Sequence, residues 1–163
     1  MSPRRATEVL IVLTILVISM GGMIRIYDAG ESCPDWPTCF GTWGFDISEE
    51  EQGEWWEENP DEADSRGSGH RYSSFQIFTE WFHRLLAGAF VGPLVVLNWL
   101  LVRKETWTSP RVKGVSSLAL GLILWQGAIG WLTVKMDNEN WSVAIHLGSA
   151  MAFLISLIWL WME

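Results

Sequence analysis

The chain has 163 residues, of which 49 % are hydrophobic and 12 are tryptophan, and its formal net charge is −8. An excess of acidic over basic residues repels nucleic acid, so a nucleic-acid partner is excluded. Four segments almost free of charge alternate with polar ones. Each holds about 20 residues or more, enough for a helix to cross a hydrocarbon core of about 30 Å.

These four segments cover about residues 9–26, 76–102, 114–134 and 141–162. We therefore predict an all-α membrane protein, a four-transmembrane-helix bundle that forms one domain over residues 1–163. Lysine and arginine near span ends mark the cytoplasmic side. The pattern predicts a multi-pass protein of the cell membrane with both termini in the cytoplasm. The basic residues that mark that side are Arg4, Arg5, Arg103, Lys104, Arg111 and Lys113.

Residues 27–75 form a long loop between spans 1 and 2, which we predict to lie outside the cell. The loop holds 13 Asp and Glu residues but only two Arg. From the composition of its second half we predict a short interfacial helix around Trp55 and Trp56, followed by a flexible linker after Pro60. The acidic stretch is interpreted as a solvated face; a docking surface for a basic partner is the alternative.

Cys33 and Cys39 are the only cysteines, and they bracket the turn-forming sequence PDWPT. We expect a disulfide between them, because the outer side of a membrane is oxidising. A structural staple and a redox-active pair are both open interpretations.

Spans 2 and 4 run in the same direction and share a pattern that starts at a histidine. HRLLAGAF (83–90) matches HLGSAMAF (146–153) at four of eight positions. The match suggests two pseudo-repeated helical hairpins, a parallel internal repeat. If spans 2 and 4 are neighbours, His83 and His146 lie at similar depth and face each other across the interior.

Facing histidines on different helices are a way for a four-helix bundle to bind a cofactor, and haem iron accepts two axial imidazoles. The small residues that follow each histidine leave room for a macrocycle: Ala87 and Gly88 after His83, and Gly148, Ser149 and Ala150 after His146. Two histidines are too few for a closed tetrahedral metal site. We predict His83 and His146 as axial ligands of a haem iron; the alternative is that both imidazoles are hydrogen-bonded to other helices.

Glu80 lies three residues before His83 and four before Arg84, so the three share a helix face. An ion pair between Glu80 and Arg84 is one interpretation. In the other, Arg84 holds a haem propionate and Glu80 serves as an acid, base or electrostatic stabiliser beside the macrocycle. The two interpretations are compatible.

Four stretches resemble the haem A synthases, membrane proteins that convert haem O to haem A for terminal oxidases. They are GGMIRIYDAGESCPDWPTCFG (21–41), EWFHR (80–84), QGAIGWLTV (126–134) and HL (146–147). The resemblance implies that His83 and His146 bind haem b, haem O or haem A, and that Glu80 matches an essential carboxylate. It implies that Cys33 and Cys39 match a loop pair that forms a disulfide in some members. The implied reaction oxidises the C8 methyl of haem O to a formyl group through an alcohol.

Typical haem A synthases have eight spans in two four-helix halves, so the chain resembles a half-length member. The expected partners are haem O, membrane lipid, further copies of the chain in a homo-oligomer, and a haem O-producing enzyme or an oxidase subunit. A bis-histidine cytochrome b-type electron carrier is the main alternative function. A thiol–disulfide oxidoreductase using Cys33 and Cys39 is a third, but it leaves the span histidines without a role.

Overall fold

Four long helical spans form the bundle in the computed structural model, which describes residues 1–62, 64–106 and 108–163. All four are long and apolar enough to cross a membrane, which confirms the predicted fold class. The extent of the single domain stays a prediction. The elements are α1 (Pro3–Ile26), α2 (Glu49–Glu58), α3 (Ser74–Leu85), a π-helical segment (Leu86–Val91), α4 (Gly92–Lys104), α5 (Pro110–Lys135) and α6 (Asn140–Met162). The second span combines α3, the π-helical segment and α4.

Two of the spans begin with the same local signal. Ser2 accepts a hydrogen bond from the Arg5 N–H at the start of α1, and Pro3 occupies the first turn. Ser109 and Pro110 repeat this arrangement at the start of α5. A serine cap satisfies a free backbone N–H, and proline has none to satisfy, so both residues favour a helix start.

The spans pack in a ring, so that each has two neighbours. α1 lies between the second span and α6, while α5 lies between α4 and α6. The second span and α6 are therefore diagonal partners rather than the neighbours that the sequence analysis supposed. The buried core takes one or two side chains from every span: Leu10, Val91, Val95, Ala119, Phe153 and Leu157. Large apolar side chains such as Val12, Leu124 and Ile155 cover the outside, as a lipid-facing surface requires.

The basic residues that predicted the orientation gather at one end of the bundle. There α1 and α5 begin and α4 and α6 end. Contacts across this end tie the spans together: Arg111 lies 3.4 Å from Glu163, and the Trp161 indole donates to Glu8 at 3.1 Å. The side of the membrane that this end faces stays a prediction.

The long loop folds over the opposite end and has an apolar core of its own. Residues that share this core are Cys33, Cys39, Phe40, Ile47, Trp56, Tyr72 and Ile77. The Phe40 ring packs edge-on against Trp55 and Trp56, at centroid distances of 5.5 and 5.7 Å. The predicted helix around Trp55 and Trp56 is α2, and its capping box joins Ser48 and Glu51. Its location at the membrane interface stays a prediction. Hydrogen bonds from Ser48 hold the pKa of Glu51 below its usual value.

The segment after Pro60, predicted to be a flexible linker, is tied to its surroundings instead. Arg66 Nε donates to Glu31 at 3.3 Å, and its guanidinium stacks over the Tyr72 ring. The Tyr72 hydroxyl donates to Asp64, and burial raises the pKa of this phenol well above its usual value. Asn138, after α5, donates to the Gly30 carbonyl at 2.8 Å. The loop is thus fastened to the bundle, while acidic side chains of α2 such as Glu50, Glu54 and Glu57 are exposed.

Replacing Gln52 by leucine is expected to loosen the loop, because the Gln52 amide pairs with both backbone groups of Tyr72. Gln52 donates to the Tyr72 carbonyl at 3.0 Å and accepts from its N–H at 2.8 Å. Each buried backbone group left without a partner costs about 1–3 kcal/mol. Hydrogen exchange of residues 47–72 in detergent measures the loss of protection. Glu54→Leu, on the exposed side of the same helix, is the control, and equal protection in both variants would contradict this expectation.

Candidate functional site

The second span changes its helical register just after EWFHR. Pro93 has no N–H, so an ordinary helix would leave the carbonyl of Ala89 without its donor. The backbone adopts π-helical turns there, and the Gly92 N–H reaches the Ala87 carbonyl, five residues earlier. One extra residue rotates a helix by about 100°. The face of α3 that carries Glu80 and His83 is therefore rotated relative to the direction it would have in a continuous α-helix with α4. Such π-helical turns occur frequently at functional sites.

His83 lies against α1. Its Nδ1 is 3.1 Å from the Val17 carbonyl oxygen. A carbonyl only accepts hydrogen bonds, so Nδ1 must carry the proton and Nε2 keeps its lone pair. In a metal-binding histidine, the ring nitrogen that does not bind the metal usually donates a hydrogen bond to a group such as a backbone carbonyl. This bond fixes the tautomer and the orientation of the ring.

His146 lies against α5, in a corresponding place on the other hairpin. Its Nδ1 is buried and has no hydrogen-bond partner in the described part of the chain. The nearby Ser149 hydroxyl is engaged elsewhere, because it donates to the Ile145 and His146 carbonyls and accepts from Gln126. A buried nitrogen without a partner is unusual in a folded protein and calls for an explanation such as a ligand.

The two imidazoles fit a haem better than a bare metal ion. Within residues 1–62, 64–106 and 108–163, no group of three or more His, Cys, Asp or Glu side chains could hold a metal ion. A haem brings four nitrogen ligands of its own and needs only axial imidazoles. His83 offers a free Nε2 opposite its backbone hydrogen bond, and His146 offers a half-buried ring whose buried Nδ1 has no partner in the described part of the chain. These two residues would hold the haem iron.

Glu80 is buried, with 4 % of its surface exposed, directly under the disulfide loop. Three donors surround its carboxylate: Arg84 at 2.6 Å, the Cys33 backbone N–H at 2.9 Å and the Ser32 hydroxyl at 3.1 Å. A carboxyl group that accepts from three donors, one of them a guanidinium, is held in a fixed orientation. Such a group can stabilise positive charge that develops beside it.

Arg84 forms the ion pair with Glu80 that the helical spacing predicted. Its two terminal nitrogens also donate to three carbonyls of the loop, those of Cys33, Asp35 and Thr38. These terminal donors are thus already used within the protein. A contact between Arg84 and a haem propionate therefore stays a prediction, and it would have to use the Nε–H or displace one of these bonds.

The predicted disulfide joins Cys33 and Cys39, with their Cα atoms 4.5 Å apart. The bridge closes a small ring of backbone, and the three carbonyls that receive Arg84 all belong to that ring. The cysteine pair and the EWFHR motif are therefore parts of one structure. Sequence reasoning missed Ser32 and Val17, because their contacts with the motif span 48 and 66 residues of chain.

Comparison with known proteins places the chain in a family. The family model COX15-CtaA, described as cytochrome oxidase assembly protein, matches residues 4–163. The heme A synthase of Shewanella oneidensis is 34 % identical over an alignment covering 94 % of this chain and 43 % of the relative. The heme A synthase of Novosphingobium aromaticivorans is 28 % identical, with coverages of 90 % and 45 %. A heme A synthase–mitochondrial ferredoxin fusion protein of Schizosaccharomyces pombe is 29 % identical, with coverages of 90 % and 26 %.

The chain spans less than half the length of these three curated relatives. No solved structure matches it. The family match nevertheless extends over all four spans and the loop, and it confirms the resemblance carried by the sequence motifs. The chain therefore belongs to the COX15-CtaA family of cytochrome oxidase assembly proteins, which includes the haem A synthases.

Proposed function

We propose that this chain is a haem A synthase-like membrane oxidoreductase that oxidises the C8 methyl of haem O to a formyl group. The observation that carries the proposal is a buried, triply hydrogen-bonded carboxylate one helical turn from a histidine whose Nε2 is free for a metal. Family membership supports haem O as the substrate, since the curated relatives are named heme A synthases.

In this proposal His83 and His146 bind the haem through its iron and so fix the position of the macrocycle edge. A bound haem supplies the redox chemistry. Oxidation of a methyl to a formyl group removes four electrons in two steps, through an alcohol whose oxygen comes from water, to an acceptor outside the described site. Glu80 acts as a fixed negative charge that favours a developing cation at the methyl carbon. The loop over Glu80 limits the access of bulk water.

We further propose that the basic end of the bundle faces the cytoplasm and the acidic loop lies outside. Self-association into a homo-oligomer is supported by Gly121 of α5. A Cβ atom added there would meet no other side chain or neighbouring helix within 4 Å, so a neighbouring subunit could approach at this position. Mass measurement of the protein in detergent tests this part, and a monomer at all concentrations would contradict it.

A bis-histidine electron carrier is the second candidate. Its support is the complete engagement of Glu80 and Arg84 with one another and with the loop, which gives both residues a purely structural role. Such a carrier would need the two imidazoles but no group that contacts the haem methyl. It would pass electrons between a quinone and a protein partner.

The absorption spectrum of the purified protein and the chemical identity of its extracted pigments separate the two functions. The chain is expressed in a host that makes haem O but lacks its own enzyme for haem A. Recovery of haem A, or of haem O beside haem b, is expected. Haem b alone in every preparation would favour the carrier. A protein without any haem would contradict both functions.

A further inference from the structure

Each of the two histidines lies against a glycine of the preceding span. A Cβ atom added to Gly21 of α1 would lie 3.4 Å from His83 Cε1. A Cβ atom added to Gly130 of α5 would lie 3.3 Å from His146 Cε1. The separation at Gly130 is tighter than most carbon contacts in proteins, and the one at Gly21 is at the short end of ordinary van der Waals contact. Each ring therefore packs directly against the position where a side chain would begin.

The two contacts have matching positions in the two hairpins. Gly21 lies five residues before the last residue of α1, and Gly130 lies five residues before the last residue of α5. Both glycines are thus at the same distance from the end of the bundle that the loop covers. The pseudo-repeat predicted from the histidine patterns therefore extends to a glycine on the helix beside each histidine.

Gly21 also explains how His83 reaches a backbone carbonyl. Side chains on a helix lean toward its N-terminus, so the residue at one position covers the carbonyl of the turn before it. Val17 is one turn before Gly21, and the Val17 carbonyl accepts from His83 Nδ1. Without a side chain at position 21, that carbonyl is open to the imidazole.

We propose that Gly21 and Gly130 are positioning residues that set the orientation of the two axial imidazoles. For the ligand, this inference rests on the proposed function, in which the imidazoles bind haem. A methyl group at Gly130 displaces the His146 ring by a few tenths of an ångström, which changes the angle of the nitrogen lone pair toward the iron. A methyl group at Gly21 meets the His83 ring at the limit of contact, so its effect is smaller. The substitution leaves every predicted haem contact chemically intact.

Gly21→Ala and Gly130→Ala test the proposal, with a matched control on each helix. Gly22→Ala and Gly127→Ala add the same methyl where no side chain or neighbouring helix lies within 4 Å of the new atom. All four variants gain helix propensity equally, so a difference between a variant and its control does not come from helix propensity. The measurements are the reduction midpoint potential, the electron paramagnetic resonance of the oxidised low-spin haem, and the rate of haem transfer to apomyoglobin.

Gly130→Ala is expected to shift the potential and the resonance, and to release haem about 10-fold faster, as displaced second-sphere contacts do. Gly21→Ala is expected to change the same quantities by less. The two controls are expected to match the wild type. Identical spectra and release rates in all four variants, with haem bound to each, would overturn the inference and leave the proposed function standing.

A thermal-unfolding cycle tests the same contact without haem. In the apoprotein, Gly130→Ala is expected to lower the unfolding temperature when His146 is present and to have no such effect in a His146→Ala background. Gly127→Ala is expected to act equally in both backgrounds. Absence of this coupling would overturn the inference even if the protein binds haem. A wild type that binds no haem, with the coupling present, would overturn only the proposed function.

Discussion

Replacing Glu80 by glutamine is expected to leave haem bound to the protein and to abolish formation of the formyl group. The histidines that would hold the haem are on other turns and keep their contacts with α1 and α5. Loss of a positioned acid–base group lowers rates by about 10²–10⁴-fold, and loss of an electrostatic stabiliser has an effect of similar size. Haem O and haem A are measured by extraction after expression in a host that supplies haem O.

The chemical reason lies in the three donors around the carboxylate. Arg84, Ser32 and the Cys33 N–H all donate to Glu80, and a glutamine can accept through only one of its two terminal atoms. The amide NH₂ must then face a donor, while the negative charge that would stabilise a developing cation is gone. Size and helical position stay the same, so the change isolates charge from volume.

Two further variants separate the charge of Glu80 from one of its hydrogen bonds and from haem binding. Ser32→Ala removes one donor but keeps the charge of Glu80, so most of the formyl production is expected to survive. His83→Ala removes a predicted ligand, so haem itself is expected to be lost. Normal haem A formation by Glu80→Gln would show that Glu80 is not catalytic and would favour a structural role for its pair with Arg84.

The parts of this protein that could be predicted from sequence are those that depend on local spacing. The four spans follow from uncharged stretches, because a helix of about 20 apolar residues matches the membrane core. The pair of Glu80 with Arg84 follows from a separation of four residues on a helix, and the structure contains it. The disulfide follows from there being only two cysteines, close together in a loop predicted to lie outside.

The parts that could not be predicted involve backbone groups or residues far apart in the chain. The amino-acid sequence of the loop does not indicate that three of its backbone carbonyls accept hydrogen bonds from Arg84. A backbone carbonyl such as that of Val17 is present at every position, so its role depends entirely on how α1 packs against α3. Which of the glycines in the spans lie against a histidine also required the structure.

The acidic loop shows a related limit of sequence reasoning. Its composition, rich in Glu, Gly and Ser, is typical of solvated or flexible segments. The structure nevertheless buries Gln52, Trp56 and Tyr72, because a few apolar and aromatic residues suffice once the end of the bundle offers a surface to pack against. A docking role for this loop toward a basic partner or an oxidase subunit stays a prediction.

Replacing Arg84 by methionine is expected to detach the disulfide loop from the bundle. Arg84 is mostly buried, with 13 % of its side chain exposed, and it neutralises Glu80, whose side chain is 5 % exposed. Removal of one partner of a buried ion pair costs about 3–5 kcal/mol, because the other charge stays buried without compensation. Three loop carbonyls lose their donor at the same time.

The expected result of Arg84→Met is a lower unfolding temperature in detergent and loss of hydrogen-exchange protection in residues 31–42. Arg84→Lys keeps the charge, but a single ammonium with three donors cannot replace the planar guanidinium that reaches Glu80 and three carbonyls, so an intermediate loss is expected. The double variant Glu80→Gln/Arg84→Met removes both charges and is expected to be more stable than Arg84→Met alone. If the double variant is instead no more stable than the single one, the buried charge of Glu80 is not what Arg84 offsets. The hydrogen bonds to the disulfide ring would then account for the whole effect.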